Sequence, residues 1–271
     1  MDLTTLARTK QYLQGVAGVN GVDVTLAQLI TAASGLACQF CSRNFQRVSY
    51  SGLRLNGSGT DRQAMPNNPI VSVSAVSVDG YAYSASADAI ATGYQYDQKF
   101  IYLFGGPIFR MAQRNVLVSF IAGYTTSETD FIPAAGPYTV TPVTGSGLDP
   151  QGYPATTAGP AMVDRGVTFV ATGTALTAVG SNPAAGQYSF SAGVYTFNSA
   201  DAGKQVTMSY DYVPSAAEMA VINTVGTWLK QRDNLGINSM SLANQTVTYR
   251  DQGLSKSAKE LLQPYRWVLL P

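Results

Sequence analysis

The sequence contains no histidine in 271 residues. That removes the commonest general base and the commonest neutral metal ligand. Ser-His-Asp and Cys-His constellations therefore cannot form within one chain. Cysteine is nearly as scarce, with only Cys38 and Cys41. Two cysteines three residues apart cannot staple distant parts of a fold, and a structural zinc site would need two further Cys or His ligands. Charged residues make up 12% and the formal net charge is +1, which excludes the large basic excess of a protein that coats nucleic acid. No uninterrupted apolar run approaches the ~20 residues that span a bilayer, and the opening MDLTTLARTK lacks the apolar core of a secretory signal. These absences set the expectation: no enzyme, no cofactor, no metal, no membrane, and assembly in cytoplasm.

What is present points to a folded protein with many turns. Apolar residues reach 45%, enough for a real core, and there are 26 glycines, 13 prolines and 16 tyrosines. The chain falls into three stretches. Residues up to about 45 read as helices. Leu3, Leu6, Ala7 and Leu13 form a short amphipathic stretch that stops at Gly15. Thr25 and Gln28 fit a capping box, followed by Leu26, Leu29, Ile30, Ala33, Leu36, Ala37, Phe40 and Cys41 at three- and four-residue steps. That spacing lines one face of a helix of about five turns.

The cysteines sit near the C-terminal end of that predicted helix, with Cys41 on its apolar stripe and Cys38 beside it. A redox CxxC uses the N-terminal end, where the macrodipole lowers the thiol pKa. At the other end the dipole raises it, so the pair reads as buried structural cysteine.

Residues 46 to about 125 read as strands: RVSYSGLRL, RQAMPNNPIVSVSAVSVDG, YQYDQKFIYLFG and NVLVSFIAGY. Ile70 to Val78 carries apolar residues in both phases, so both faces are expected to be partly covered. Gly57-Ser58-Gly59 lacks the lysine and following helix of a phosphate loop and reads as a hairpin turn. From about 129 to 212 the character shifts to Pro, Gly, Thr and Ala, then to short strands separated by turn signals. This block holds five acidic residues (Asp130, Asp149, Asp164, Asp201, Asp211) against Arg165 and Lys204. It reads as a small all-β sandwich-like module. After Val213 helices return: Ser215 and Glu218 fit a second capping box, Ala217 to Leu229 an apolar face, and Ser257 to Glu260 the cap of a last helix that Pro264 limits. Because LVSFIAGYTT and VTMSYDYVPS both look like a last sheet strand, the simplest account is an insertion of 129–212 between a strand and the helix that follows it. The alternative is one continuous β-domain with helical ends.

With 129–212 set aside, the ordered segments LTTLARTKQYL, TLAQLITAASGLACQFCSRNF, GSGTDRQAMPNNPIVSVSAVSVDG, VSFIAGY and VPSAAEMAVINTVGTWLKQRDNLGINSMSLANQTVTYRD with LSKSAKELLQPYRW resemble the head–tail connector (adaptor, or head-completion) proteins of tailed bacteriophages. Phe40, Cys41, Arg43 and Phe45 match that family's cluster after the second helix. Pro69, Ile70, Val73 and Val76 match its sheet pattern, and Arg232, Asp233, Leu235 and Gly236 the end of its last long helix. The resemblance implies an α+β fold: a helical connector domain with a small antiparallel sheet (1–128 and 213–271), carrying the inserted, Ig-like 129–212. It also implies a subunit of a virion neck. That subunit would form a homo-oligomeric ring, usually of twelve copies, under the portal protein, offering a platform to a tail-side protein. Genomic DNA would pass through its channel without sequence-specific binding, and assembly would occur in host cytoplasm.

The terminal Arg266, Trp267, Val268, Leu269 and Leu270 place four apolar residues beyond a helix end. Either they fold back onto the core or they dock on a neighbour; by resemblance the neighbour would be the portal. Lys230, Arg232, Lys256 and Lys259 read as solvated helix faces, and the polar LGINSMSLANQT as a candidate channel segment. A different class of reading makes 129–212 a virion-decorating or glycan-binding module, with Tyr138, Tyr153, Tyr188 and Tyr195 as stacking surfaces. Asp149 and Asp164 show no paired spacing that would suggest hydrolysis.

Overall fold

The computed structural model of the chain describes residues 2–13, 22–88, 90–142, 158–231, 239–242, 245–248 and 253–266. The fold mixes α-helix with a larger share of antiparallel sheet. It divides into two compact units, Met1–Arg43 with Val213–Pro271, and Asn44–Tyr212. The sheet that follows the second helix, expected to belong with the helices, falls in the other unit.

The first unit is mainly helical, with α1 (Leu6–Tyr12), α2 (Val22–Cys41), α3 (Ser215–Gln231) and α4 (Lys256–Leu262). It also holds an antiparallel pair of short strands, Ser239–Leu242 with Gln245–Thr248, overlapping the polar segment singled out as a channel candidate. Thr5 caps α1, its hydroxyl accepting from the Arg8 N–H at 3.3 Å. The expected α2 cap does not form, because the helix starts a turn earlier at Val22 and Thr25 lies inside it. Asp23 in that first turn suits the positive end of the helix dipole and pairs with Lys10 at 2.5 Å. On α2 the apolar stripe is buried as its spacing predicts: Leu26, Ile30, Ala33, Ala37 and Cys41, packed against α3 and α4. By length and composition alone, Asp23–Cys41 would pass for a membrane-crossing helix. The run-length reading misses it because Thr25, Gln28, Thr31, Ser34 and Gln39 interrupt the apolar residues. On α3, Ala217, Ala220, Val221, Ile222 and Val225 are buried. A side chain at Gly226 would meet Leu13 Cδ2 at 2.8 Å, so the end of α1 lies against α3 where there is none. Ser255, not Ser257, caps α4, accepting from the Ala258 N–H at 3.1 Å.

The second unit holds four sheets built from β1 (Val48–Leu55), β2 (Arg62–Ala64), β3 (Ile70–Val78), β4 (Tyr81–Tyr83), β5 (Gly93–Tyr96), β6 (Phe100–Phe104), β7 (Val116–Ala122), β8 (Thr125–Phe131), β9 (Thr139–Val140), β10 (Ala158–Phe169), β11 (Thr177–Val179), β12 (Gln187–Ser191), β13 (Val194–Phe197) and β14 (Gln205–Pro214). The strand orders are β1-β7-β3-β4, β2-β6-β5, β10-β14-β8 and β11-β12-β13-β9. The first two share one core, including Met65, Ile70, Val76, Ile101, Leu103, Phe109, Val118 and Phe120. The last two share another, including Ile132, Val140, Val167, Tyr188, Tyr195, Phe197, Val206 and Met208. Strand β7 alternates strictly between buried and half-buried positions, as a strand with one face on a core must.

Two sequence readings change here. The run from Tyr94 to Phe104 is a hairpin, not one strand: Asp97 accepts the N–H groups of Lys99 (2.6 Å) and Phe100 (2.7 Å) and turns the chain between β5 and β6. The NGSGTD segment is not a hairpin turn either. β1 pairs with β7 and β2 with β6, so it carries the chain from one sheet to the other. Gly57 is obligatory there, since a Cβ would lie 1.9 Å from the Arg110 carbonyl oxygen.

The strand missed by sequence reasoning, β8, explains why two segments looked like a last sheet strand. β8 and β14 pair with each other over seven residues, from Thr125↔Asp211 to Phe131↔Gln205. The chain leaves the first core along β8 and returns along β14, and the Tyr212 N–H to Tyr124 O bond (3.0 Å) closes the base of this ladder. Gly123 makes the exit possible. Its φ is +144°, and a Cβ would stand 2.3 Å from Arg47 Cα.

Gly123→Ala is expected to cost about 2–4 kcal/mol in urea unfolding, from left-handed strain plus backbone overlap. Gly80→Ala, with φ +86° but open space around it, should cost only about 1–2 kcal/mol. Equal losses at both sites would show that overlap at Gly123 relaxes freely.

Candidate assembly surfaces

The C-terminal candidates begin at Arg266, which is exposed, with its guanidinium carbon 5.6 Å from the centre of the Phe40 ring. That distance suits a cation–π contact, and it fixes the start of the tail beside the end of α2. Trp267, Val268, Leu269 and Leu270 lie outside the described residues, as do Arg232, Asp233, Leu235, Gly236, Tyr153 and Asp149. Of the other basic candidates, Lys230 and Lys259 are exposed, and Lys256 faces Glu260 at 3.9 Å with both side chains well solvated.

Cys41 is fully buried, its Sγ 3.7 Å from the Leu262 carbonyl oxygen. Burial pushes its thiol up to about 12, the reverse of what a redox thiol needs. Cys38 is half-buried, and neither cysteine forms a disulfide. Among the described residues no group of three His, Cys, Asp or Glu is placed to hold a metal ion.

The helical unit is closed by a charge pair that joins its two sequence ends. Glu218, in the first turn of α3, accepts from Arg8 Nε (2.6 Å) and Nη2 (2.8 Å) and from the Thr4 hydroxyl (2.9 Å). Local sequence assigned Glu218 to a capping box; its oxygens instead serve residues 210 and 214 positions away. Such a fork of parallel bonds is the strong form of the Arg–carboxylate pair. No local pattern could reveal it.

In the β-rich unit a second carboxylate gathers the base of the β8–β14 ladder. Asp211 Oδ2 accepts from Arg165 Nε (2.8 Å) and from Arg165 Nη2, and its Oδ1 accepts from the Thr125 hydroxyl (2.7 Å). Arg47 Nη1 stands 3.9 Å from Oδ1. Farther into the module, Asp164 accepts from the hydroxyls of Tyr188 (2.5 Å) and Tyr195 (2.9 Å), while Glu128 accepts from Tyr210 (2.9 Å). Burial and these carboxylates raise all three phenol pKa values well above the ordinary tyrosine range. Tyr188 and Tyr195 are core residues and offer no stacking surface for a glycan. Tyr138 is partly buried against the same core.

Exposed apolar groups are scattered over helices, strand ends and loops: Tyr81 at the start of β4 is 75%, Ile90 83% and Met111 79% exposed. The turn at Asp79 and the loop 105–115 are tied together: the Asp79 N–H donates to Asn115 O (2.9 Å), and the Asn115 amide donates to Asp79 (3.0 Å) and Arg110 O (3.0 Å). Beside them runs the outer edge of β1, which sequence reasoning did not single out. The one signal for it was Gly52, which breaks the strand pattern as a bulge does.

No protein-family model matches the chain, and no curated protein does. Solved structures give distant likenesses. One, described as "Virion of native gene transfer agent (GTA) particle", is 12% identical with a TM-score of 0.40. Another, "Neck of empty GTA particle computed with C6 symmetry", is also 12% identical, with a TM-score of 0.32. Each alignment covers 99% of this chain and 92% of the other. Both are too weak to carry an inference about this chain's fold or role.

Two measurements check the buried groups. Tyr188, Tyr195 and Tyr210 keep their protons in the fold above pH ~10, where an unfolded tyrosine loses its own. The native state then binds more protons, so stability falls as pH rises past 10. An absorbance titration should show three of the sixteen tyrosines ionising only as the protein unfolds; smooth titration of all would contradict their burial. Arg8→Met leaves Glu218, 2% exposed, without its ion partner, but Arg8 is itself 46% exposed and water can reach the gap. The expected loss is about 1–2 kcal/mol, read by thermal unfolding, and no loss would mean that the pair is solvent-compensated.

Proposed function

We propose that this chain is a structural subunit of a tailed-phage neck, a head–tail adaptor that forms a ring under the portal and extends the DNA channel. The observation that carries the reading is the closure of the two helical ends into one unit through Arg8, Thr4 and Glu218. Everything from Asn44 to Tyr212 is then one excursion from a helical base. The described parts of the segments that resemble the connector family fall on that base and on the first core, including α1, α2, β3, β7, α3 and α4. The residues of its clusters are structural there, with Cys41, Arg43, Phe45, Ile70 and Val76 buried.

On this reading 129–212 is an insertion. Its separate core and the β8–β14 ladder that leads into and out of it support that division. Function comes from shape. The chain offers exposed apolar side chains such as Tyr81, Ile90 and Met111, and by sequence the apolar residues after Arg266, to protein partners, and apolar anchors are where interface energy concentrates. It acts on no substrate, and its near-neutral charge suits a channel through which DNA slides. The ring is of about twelve copies by family resemblance, its partners are the portal and a tail-side protein, and its place is the virion neck after assembly in host cytoplasm.

The test mixes the full-length protein with the portal protein of the same particle. Light scattering should find the protein alone monomeric or weakly associated, and electron microscopy should find a closed ring on the portal. Failure to co-migrate with portal under any condition of assembly would overturn the reading. Deleting residues 266–271 should abolish portal co-sedimentation while leaving the circular-dichroism melt unchanged; retained attachment would remove the tail from the interface.

A further inference from the structure

We propose that the outer edge of β1 is a docking groove for an extended acidic segment of a partner protein, which would add to the sheet as a further strand. This goes beyond the neck reading and stands or falls independently of it. β1 is the terminal strand of β1-β7-β3-β4, and among the described residues no strand pairs with its other side. An unpaired edge offers a row of main-chain donors and acceptors that an extended peptide can satisfy.

Along this edge lies a shallow concavity of ≈520 Å³, lined by Ser49 to Arg54 and by Arg114. The lining is not neutral. Its two charged residues are both arginines, both exposed, and neither makes an ion pair among the described residues. Arg114 is held in place by its backbone. It has a left-handed φ of 53°, and its N–H donates to Asn56 Oδ1 at 2.8 Å. Two exposed cations beside an open strand edge, without an ion-pair partner among the described residues, favour a strand that carries carboxylates and disfavour a basic one. Tyr50 and Leu53 turn toward the core, so the exposed face of the strand is polar, with Ser49, Ser51 and Arg54. The bulge between Tyr50 and Leu53, with Gly52 at φ 61°, breaks the register. That limits the docked segment to a few residues and disfavours open-ended stacking of copies.

The experiment titrates the full-length protein with a labelled, capped eight-residue peptide alternating valine with glutamate. Three probes accompany it: the same peptide with lysine for glutamate, the same peptide N-methylated at alternate residues, and a twelve-base-pair DNA duplex. The glutamate peptide should bind, with amide NMR shifts confined to residues 49–54 and 114. The lysine and N-methylated peptides should fail. R54E/R114E should weaken binding about tenfold or more, while K256E, on an unrelated solvated site, should leave it unchanged. Both arginines are exposed, and unchanged melting of the double variant confirms that it folds. No binding of the glutamate peptide overturns the proposal. So does equal binding of the N-methylated peptide, which would show charge without strand pairing, or tighter binding of the duplex, which would make the groove a phosphate site.

Discussion

The buried carboxylate of Asp211 holds the place where the β-module joins the rest of its unit. Burying a charge costs several kcal/mol unless hydrogen bonds replace the lost water. Here Arg165 from β10 and Thr125 from β8 supply them, and Arg47 adds charge from the segment before β1. Strands that are far apart in sequence must therefore arrive together for any of them to be satisfied. The Gly123 exit and the Tyr124–Tyr212 closure set the same geometry without charge. A module rooted in this way is positioned by its base, not tethered by a linker.

The same logic recurs at smaller scale. Glu218 closes the helical unit through Arg8 and Thr4, Asp164 bridges two core tyrosines, and Asp201 accepts from Lys204 (2.7 Å) and the Gly186 N–H (2.7 Å). In a chain with so few charges, several of the carboxylates serve as internal fasteners.

Much of this was legible in the sequence, and what was missed shares a physical cause. Periodicity located α2, α3 and most strands because burial of one face imposes a 3.6- or 2-residue repeat. The position of Cys41 at a helix end, and its buried role, followed from that stripe. Local cap rules were less secure. Thr25 and Ser257 had the right neighbours, but the helices began at Val22 and Lys256, where Asp23 and the Ser255 hydroxyl favour an earlier start. The Asp97 turn was hidden inside an aromatic run that reads as one strand. The clasps of Glu218 with Arg8 and Thr4 and of Asp211 with Arg165 could not be read at all, because partners 46 to 214 positions apart leave no spacing signal. Of the tail, only Arg266 falls among the described residues, so Trp267 to Leu270 rest on sequence alone.

A neck subunit must sit at one place in the particle. A cryo-electron reconstruction of the assembled particle, refined around the junction of shell and tail, can find it. A closed ring of copies of this chain is expected at that junction, its helical unit and both β cores recognisable in each copy. Density for the chain only on the shell surface or along the tail, with none at the junction, would contradict it.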